Sequence, residues 1–299
     1  AAGELGVQIR VEVHGKVTSE PRNMRDIMGH ADHSNAYVCW NSNFGEVIDA
    51  GGLCLAPGLI DLRVKTGEPG DEQKETLATA SRAAVAGGVT SLVVMPDTKP
   101  VVDDVALVRY ISDRAKVSAK ARIYAAGALT VGLEGHAMAE IGMMADAGAV
   151  LFTNGDAPIS NPSILKRAMT YAASRGAIVM SRPDDCALKG SGVMNAGAFA
   201  ARKGLAGIPE EAEWIGAARD LMLAEATGCT LILDQVSTPR TLELVSDSRA
   251  RGANVFTTIA AHSLFFNEID VGDYLTYCKV NPPFRDEETR QAMIAALKA

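Results

Sequence analysis

The chain has little that would tie it to a membrane, a nucleic acid or an oxidising compartment. No apolar run approaches the length of a membrane span, and the N-terminus lacks a signal-peptide pattern. The five cysteines (Cys39, Cys54, Cys186, Cys229 and Cys278) are odd in number and form no Cys-x-x-Cys pair. That excludes a disulfide framework, and it predicts reduced, mostly core thiols and a cytoplasmic setting. Lys and Arg number 29 against 36 Asp and Glu, a net charge of −7, which argues against general binding to nucleic acid or to anionic membranes. A Gly-x-Ser-x-Gly elbow is missing, and Ala86-Gly87-Gly88-Val89-Thr90 leads from a helix into a strand, the reverse of a phosphate loop.

What remains is a chain of 299 residues, 47% apolar and 22% charged, enough for one large α/β unit. Residues 1–57 form a small N-terminal β-rich segment. Val7, Ile9, Val11 and Val13 alternate with polar residues as in a half-buried strand, Val47 to Gly52 reads as a second short strand and turn, and Pro21 to Phe44 reads as loop. From residue 58 to 299 short apolar runs alternate with amphipathic stretches. Strands are predicted at 58–64, 89–95, 121–128, 149–153, 177–181, 229–235 and 253–259, continuously apolar as in a sheet covered on both faces. Asp71 is the expected cap of the first helix and Asp104 of the second. Thr238-Pro239 suits a third helix start, and Trp214, Ala217, Leu221 and Ala224 mark a longer helix. The fold class is therefore a TIM-like (β/α)8 barrel with seven strands countable. The eighth is expected after Pro282-Pro283-Phe284-Arg285, and the barrel is read as truncated before it.

In such barrels the chemistry sits at the C-terminal strand ends. In order, those ends read Asp61-Leu62-Arg63-Val64-Lys65-Thr66-Gly67, Met95-Pro96-Asp97-Thr98-Lys99-Pro100, Phe152-Thr153-Asn154-Gly155-Asp156, Ser181-Arg182-Pro183-Asp184-Asp185 and Asp234-Gln235-Val236-Ser237-Thr238-Pro239-Arg240. Ala261-His262-Ser263-Leu264 and Lys279-Val280-Asn281-Pro282-Pro283-Phe284-Arg285 follow. Period two points Arg63 and Lys65 to the same face, into the barrel mouth. Of the remaining histidines, His14, His30 and His33 lie in the irregular N-terminal segment and His136 near a helix start. His30-Ala31-Asp32-His33 has a chelate-like spacing, but in a polar loop it reads as solvated.

These motifs resemble the dihydroorotase branch of the amidohydrolase superfamily from about residue 46 to 299. The resemblance implies zinc held by His-x-His on the first strand and by one His each on the fifth and sixth. The four positions read Arg63, Lys65, Arg182 and Gln235. A guanidinium and a protonated ammonium offer no lone pair to a metal. The family's Asp near the metals reads Asn154. Its substrate-holding Arg and Asn read Gly67 and Asp97, while His262 and Asn281 match motif residues near the substrate. The chain thus resembles the degenerate, non-catalytic members that lack His-x-His. No catalytic residue, no metal ligand and no cofactor are expected.

The function the resemblance implies is a link to pyrimidine biosynthesis, as a structural or regulatory partner of aspartate carbamoyltransferase within an oligomer. The alternative is an active metal-dependent cyclic amidohydrolase acting on dihydroorotate, with metal on Asp61, Asp97, Asp184 and His262. Convergence of Arg63, Lys65 and Arg182 requires counter-charge, from Asp61, Asp97 and Asp184 or from a small anion in the cleft. Asp156 reads as an ordinary turn residue.

Overall fold

The structure is a computed structural model. It describes residues 56–273 and 275–298, together with the backbone of strands β1 (Ile9–Val13) and β2 (Ala36–Trp40). Two compact units divide it, Ala1–Gly58 and Leu59–Ala299.

In the first unit β1 and β2 pair in parallel, Val11 opposite Val38. The expected loop at 21–44 therefore contains a strand: Tyr37, Val38, Cys39 and Trp40 are residue types that favour extended backbone even without a clean period-two pattern. The strand expected at Val47 to Gly52 lies outside the described residues, as do His14, His30 and His33.

The second unit is a curled, seven-stranded parallel sheet with helices packed on it. Its strands are β3 (Leu59–Val64), β4 (Val89–Val94), β5 (Arg122–Ala128), β6 (Leu151–Thr153), β7 (Ile178–Ser181), β10 (Thr230–Leu233) and β11 (Val255–Thr257). They lie in sequence order, with β3 and β11 at the edges. A short parallel pair, β8 (Met194–Asn195) and β9 (Gly207–Ile208), stands apart.

Alternation along each strand sorts its side chains into two cores. Val94, Ala125, Phe152, Val179, Leu231 and Leu233 pack with the helices. Their chain neighbours Val93, Ala126, Leu151, Met180 and Ile232 meet on the other face with Met95. Both faces are dry, which is why these strands read as unbroken apolar runs.

Helix α1 (Leu77–Ala86) is capped by Thr76, whose side chain accepts from the Thr79 N–H in a reciprocal box. The expected cap Asp71 lies too early. It closes the preceding loop instead, with Lys74 at 2.9 Å and Lys99 at 3.1 Å. Asp104 caps α2 (Val105–Ser118) as expected, and its predicted stripe of Val108, Ile111 and Ala115 is buried. Further helices are α3 (Ile141–Asp146), α4 (Pro162–Ser174), the single turn α5 (Cys186–Lys189) and α6 (Ala198–Lys203). The long α7 (Glu211–Thr227) follows, then α8 (Pro239–Ala250), the single turn α9 (His262–Phe265) and α10 (Glu287–Lys298). Pro239 opens α8 at the first helical position, but the Thr238 side chain makes no cap hydrogen bond. Cys229 is buried, whereas Cys186 is exposed on α5 and Cys278 is half-buried. The expectation of mostly core thiols therefore holds for Cys229 alone among the described side chains.

Candidate ion cluster at the strand ends

The parallel order of the strands brings Arg63, Asp97, Asp156, Arg182 and Asp234 to one end of the sheet. Arg63 spans it. One guanidinium nitrogen donates to Asp234 and another to Asp156, while its backbone N–H donates to Asp61 Oδ1 at 2.9 Å. Lys65 donates to Asp156 and lies 2.5 Å from Asp97. Arg182 donates to Gln235 Oε1 at 2.6 Å and comes within 3.7 Å of Asp156. Gly155, at φ +62°, makes the tight turn that carries Asp156 into the cluster.

The counter-charges are thus Asp97 on Lys65, Asp234 on Arg63, and Asp156 shared by Arg63 and Lys65, with Arg182 farther off at 3.7 Å. Two of the expected carboxylates are placed otherwise. Asp61 accepts from the backbone of Arg63, and Asp184 pairs with Lys189 at 2.5 Å. Asp156, expected as a turn residue, is the hub. Asp234 passed unremarked because it stands at the end of an apolar strand. The available signal was the set of three cations at neighbouring strand ends, which demands acids on the adjoining strands.

The other expected positions have structural work. Asn154 accepts from Thr130 N–H at 3.1 Å and from the Thr130 hydroxyl at 2.8 Å, and donates to the Leu133 carbonyl at 3.1 Å. Gly67 closes a loop, its N–H donating to Glu75 O at 2.8 Å and its carbonyl accepting from Asp71 N–H at 2.5 Å. Asn281 donates to Asp184 at 3.4 Å. His262 opens α9 and packs edge-on against Phe284, ring centres 5.5 Å apart; burial lowers its pKa. His136 is exposed.

Electrostatics separates the members of the cluster. Burial pushes the Asp156 carboxyl up, but the Lys65 hydrogen bond and the charges of Arg63, Lys65 and Arg182 outweigh it, and the net direction is down. Burial opposes the Lys65 charge too, and Asp156 and Asp97 reverse that, raising its pKa. For Asp234 burial wins over Arg63 and Arg182, and its pKa rises. Burial, then the Arg63 charge, lower that of Arg182, which a guanidinium tolerates while staying protonated.

The lowered Asp156 pKa carries a pH dependence. Its stabilisation is present above the unfolded value of about 3.9 and is lost as pH falls through the lower folded value. The wild type should therefore lose more stability than Asp156→Asn between pH 5 and 2. Urea midpoints for the two across that range check it, and parallel curves would reject it. Asp156 is 53% exposed, so the difference will be modest.

The donor set does not fit zinc. Among the described residues no group of three or more His, Cys, Asp or Glu side chains is placed to hold a metal ion. Asp97, Asp156 and Asp234 are each committed to a cation.

A second chain of contacts lies beside this cluster. Glu213, on the buried face of α7, accepts from Ser237 N–H at 3.0 Å, Thr238 N–H at 3.0 Å, and the hydroxyls of Thr238 at 2.8 Å and Thr241 at 2.9 Å. Arg285 reaches Glu213 at 3.4 Å, Ser237 Oγ at 2.9 Å and Asn195 Oδ1 at 3.0 Å. This contact is how the Asn-Pro-Pro-Phe-Arg segment is bound to the strand ends. The periodic reading of α7 missed Glu213, because it sought apolar residues on the inner face.

No helix among the described residues is long and apolar enough to cross a membrane. A family model described as Dihydro-orotase-like matches residues 52–241. The dihydroorotase of Desulforapulum autotrophicum is 41% identical over 253 residues, covering 85% of this chain and 59% of that protein. The dihydroorotase of Pelobacter propionicus is 40% identical over 252 residues, with coverage of 84% and 59%. The chain thus spans about three fifths of the length of these curated relatives. Among solved structures, L-hydantoinase (dihydropyrimidinase) from Arthrobacter aurescens superposes with a TM-score of 0.69 at 23% identity, over 88% of this chain and 57% of that one. Dihydroorotase from Campylobacter jejuni gives 0.56 at 15% identity, over 79% and 64%. These two likenesses carry the barrel-type fold. The family match and the two sequence relatives together show that the chain belongs to the dihydroorotase-like family.

Proposed function

We propose that this protein serves pyrimidine biosynthesis without hydrolysing dihydroorotate, as a cytoplasmic structural or regulatory partner of aspartate carbamoyltransferase. The observation that carries this reading is the ion cluster. Arg63, Lys65 and Arg182 occupy the strand ends where the resemblance places zinc ligands, and their positive charge repels a divalent cation. Ring-amide hydrolysis of the family type needs a metal-activated water, and the side chains here offer no place to generate one. The carbamoyltransferase partnership rests on the resemblance to non-catalytic members of the family.

An active cyclic amidohydrolase is the competing reading, favoured by the name dihydroorotase that the relatives carry. It would use Asp61, Asp97, Asp184 and His262. Asp97 and Asp184 are engaged with Lys65 and Lys189, and His262 packs edge-on against Phe284.

Metal content and dihydroorotate turnover, measured on one sample of the purified full-length protein, discriminate the two. The expected result is well under one metal per chain and no turnover above background, with co-elution when aspartate carbamoyltransferase is added. One or two metals per chain with turnover would overturn the proposal. Metal-free, inactive protein that never co-elutes would remove the partnership alone.

A further inference from the structure

The segment that links β11 to α10 is folded with its polarity reversed. Its polar groups are tied to neighbouring elements. The Glu268 N–H donates to the Arg285 carbonyl at 2.8 Å, and the Glu268 carboxylate accepts from the Asn195 amide at 2.9 Å. Asn267 donates to Glu287 at 2.8 Å and closes a reciprocal cap with Asp270. Arg290 donates to the Leu264 carbonyl at 2.6 Å, and Lys203 to Asp273 at 2.8 Å. The large apolar side chains are left outside. Phe265 is 76% exposed, Ile269 64% and Tyr277 77%, and Phe266 and Leu275 are exposed as well. Two single turns, Glu268–Val271 and Thr276–Cys278, meet where Cys278 Sγ lies 3.9 Å from the Asp270 carbonyl. Phe266 is rooted on the buried Phe284, ring centres 5.6 Å apart.

Single exposed apolar residues are ordinary; such a run along one short segment marks an interaction face. The three aromatic side chains alone offer roughly 300–500 Å², a large part of the ~800 Å² that each member of a stable pair buries. Ile269 and Leu275 add to it. The segment is already fixed by its hydrogen bonds, so docking costs little ordering entropy. Its rim carries both signs: Asp270 and Asp273 are exposed, and so is Lys279. A two-fold axis sets such a surface against itself, acid to lysine and apolar centre to apolar centre. A partner of one strong charge would meet like charge on part of the rim.

We propose that this face pairs with the same face of a second copy of the chain, in a two-fold dimer centred on Phe265 and Tyr277. The inference does not depend on whether the strand ends hold metal.

The test is sedimentation equilibrium of the full-length protein over a wide concentration range. A reversible monomer–dimer equilibrium is expected. Phe265→Ser and Tyr277→Ser should each weaken it roughly tenfold or more, because aromatic anchors dominate interface energies and a two-fold contact counts each substitution twice. Val117→Ser, at another exposed apolar position, on α2, should leave it unchanged. Hydroxyl-radical footprinting of the wild type above and below the dimerisation midpoint should protect Phe265 and Tyr277 only in the dimer, which decides the matter if a variant does not fold. A monomer at every concentration would overturn the proposal. So would a dimer that keeps both aromatics reactive, or one weakened no more by Phe265→Ser than by Val117→Ser. A monomer with both aromatics protected would give the face to another part of the chain. A monomer that associates only when aspartate carbamoyltransferase is added would give it to that partner. Either outcome sinks the self-pairing.

Discussion

Replacing Glu213 with alanine is expected to destabilise the protein by about 3–5 kcal/mol, the usual loss when one partner of a buried, hydrogen-bonded ion pair is removed. The side chains of Glu213 and Arg285 are 5% and 4% exposed, so solvent cannot take the place of the missing carboxylate. The substitution strands Arg285 and leaves the Ser237 and Thr238 N–H groups and the Thr241 hydroxyl without their acceptor. Glu213→Gln keeps an acceptor and the volume and should lose only about 2 kcal/mol. Urea denaturation of both variants checks this, with Gln as the informative one if Ala fails to fold. An alanine variant within about 1 kcal/mol of wild type would show that the contact contributes little net stability.

The second large effect is expected at Arg63. Arg63→Met removes the guanidinium that faces Asp234, a carboxylate 1% exposed, and should destabilise by about 3 kcal/mol at neutral pH. Burial already raises the Asp234 pKa, and without Arg63 it rises further. The loss should therefore shrink as pH falls and Asp234 takes up a proton. Arg63→Met combined with Asp234→Leu removes both charges and should recover a good part of the stability, since apolar side chains of similar volume often replace buried ion pairs at little cost. A double-mutant cycle in chemical denaturation measures it. A loss in the double variant equal to the sum of the two single losses would show that the pair is uncoupled.

The barrel strands were legible because both faces of the sheet are dry. Val93 and Val94, or Ile232 and Leu233, pack in opposite cores, so each strand wrote itself as an apolar run. Strand β2 was not legible, because Ala36–Trp40 sits inside a long polar stretch that dominates any local average. At the strand ends the sequence identified the cations but not their partners. Arg63 and Asp234 are far apart in the chain and meet only because β3 and β10 share a sheet. Asp156 became the hub through a turn at Gly155, and no period in the sequence encodes a turn's direction. Glu213 hid on a helix face where only apolar residues were sought. Gly67 was read at the arginine position of the resemblance, and nothing in the sequence told that its Cα packs against the Asp71 carbonyl, where a Cβ would not fit.

That last position bears on which sequences this loop can accept. A Cβ on Gly67 would lie 1.8 Å from the carbonyl oxygen of Asp71 and 3.1 Å from that of Glu75. Both contacts are with backbone, so no rotamer relieves them. An arginine placed at 67 would have nowhere to stand until the whole turn from 67 to 75 was rebuilt. Asp71 in turn anchors Lys74 and Lys99. Position 67 is therefore closed to every residue but glycine while this turn keeps its path, and a side chain there becomes possible only after the loop itself is rebuilt.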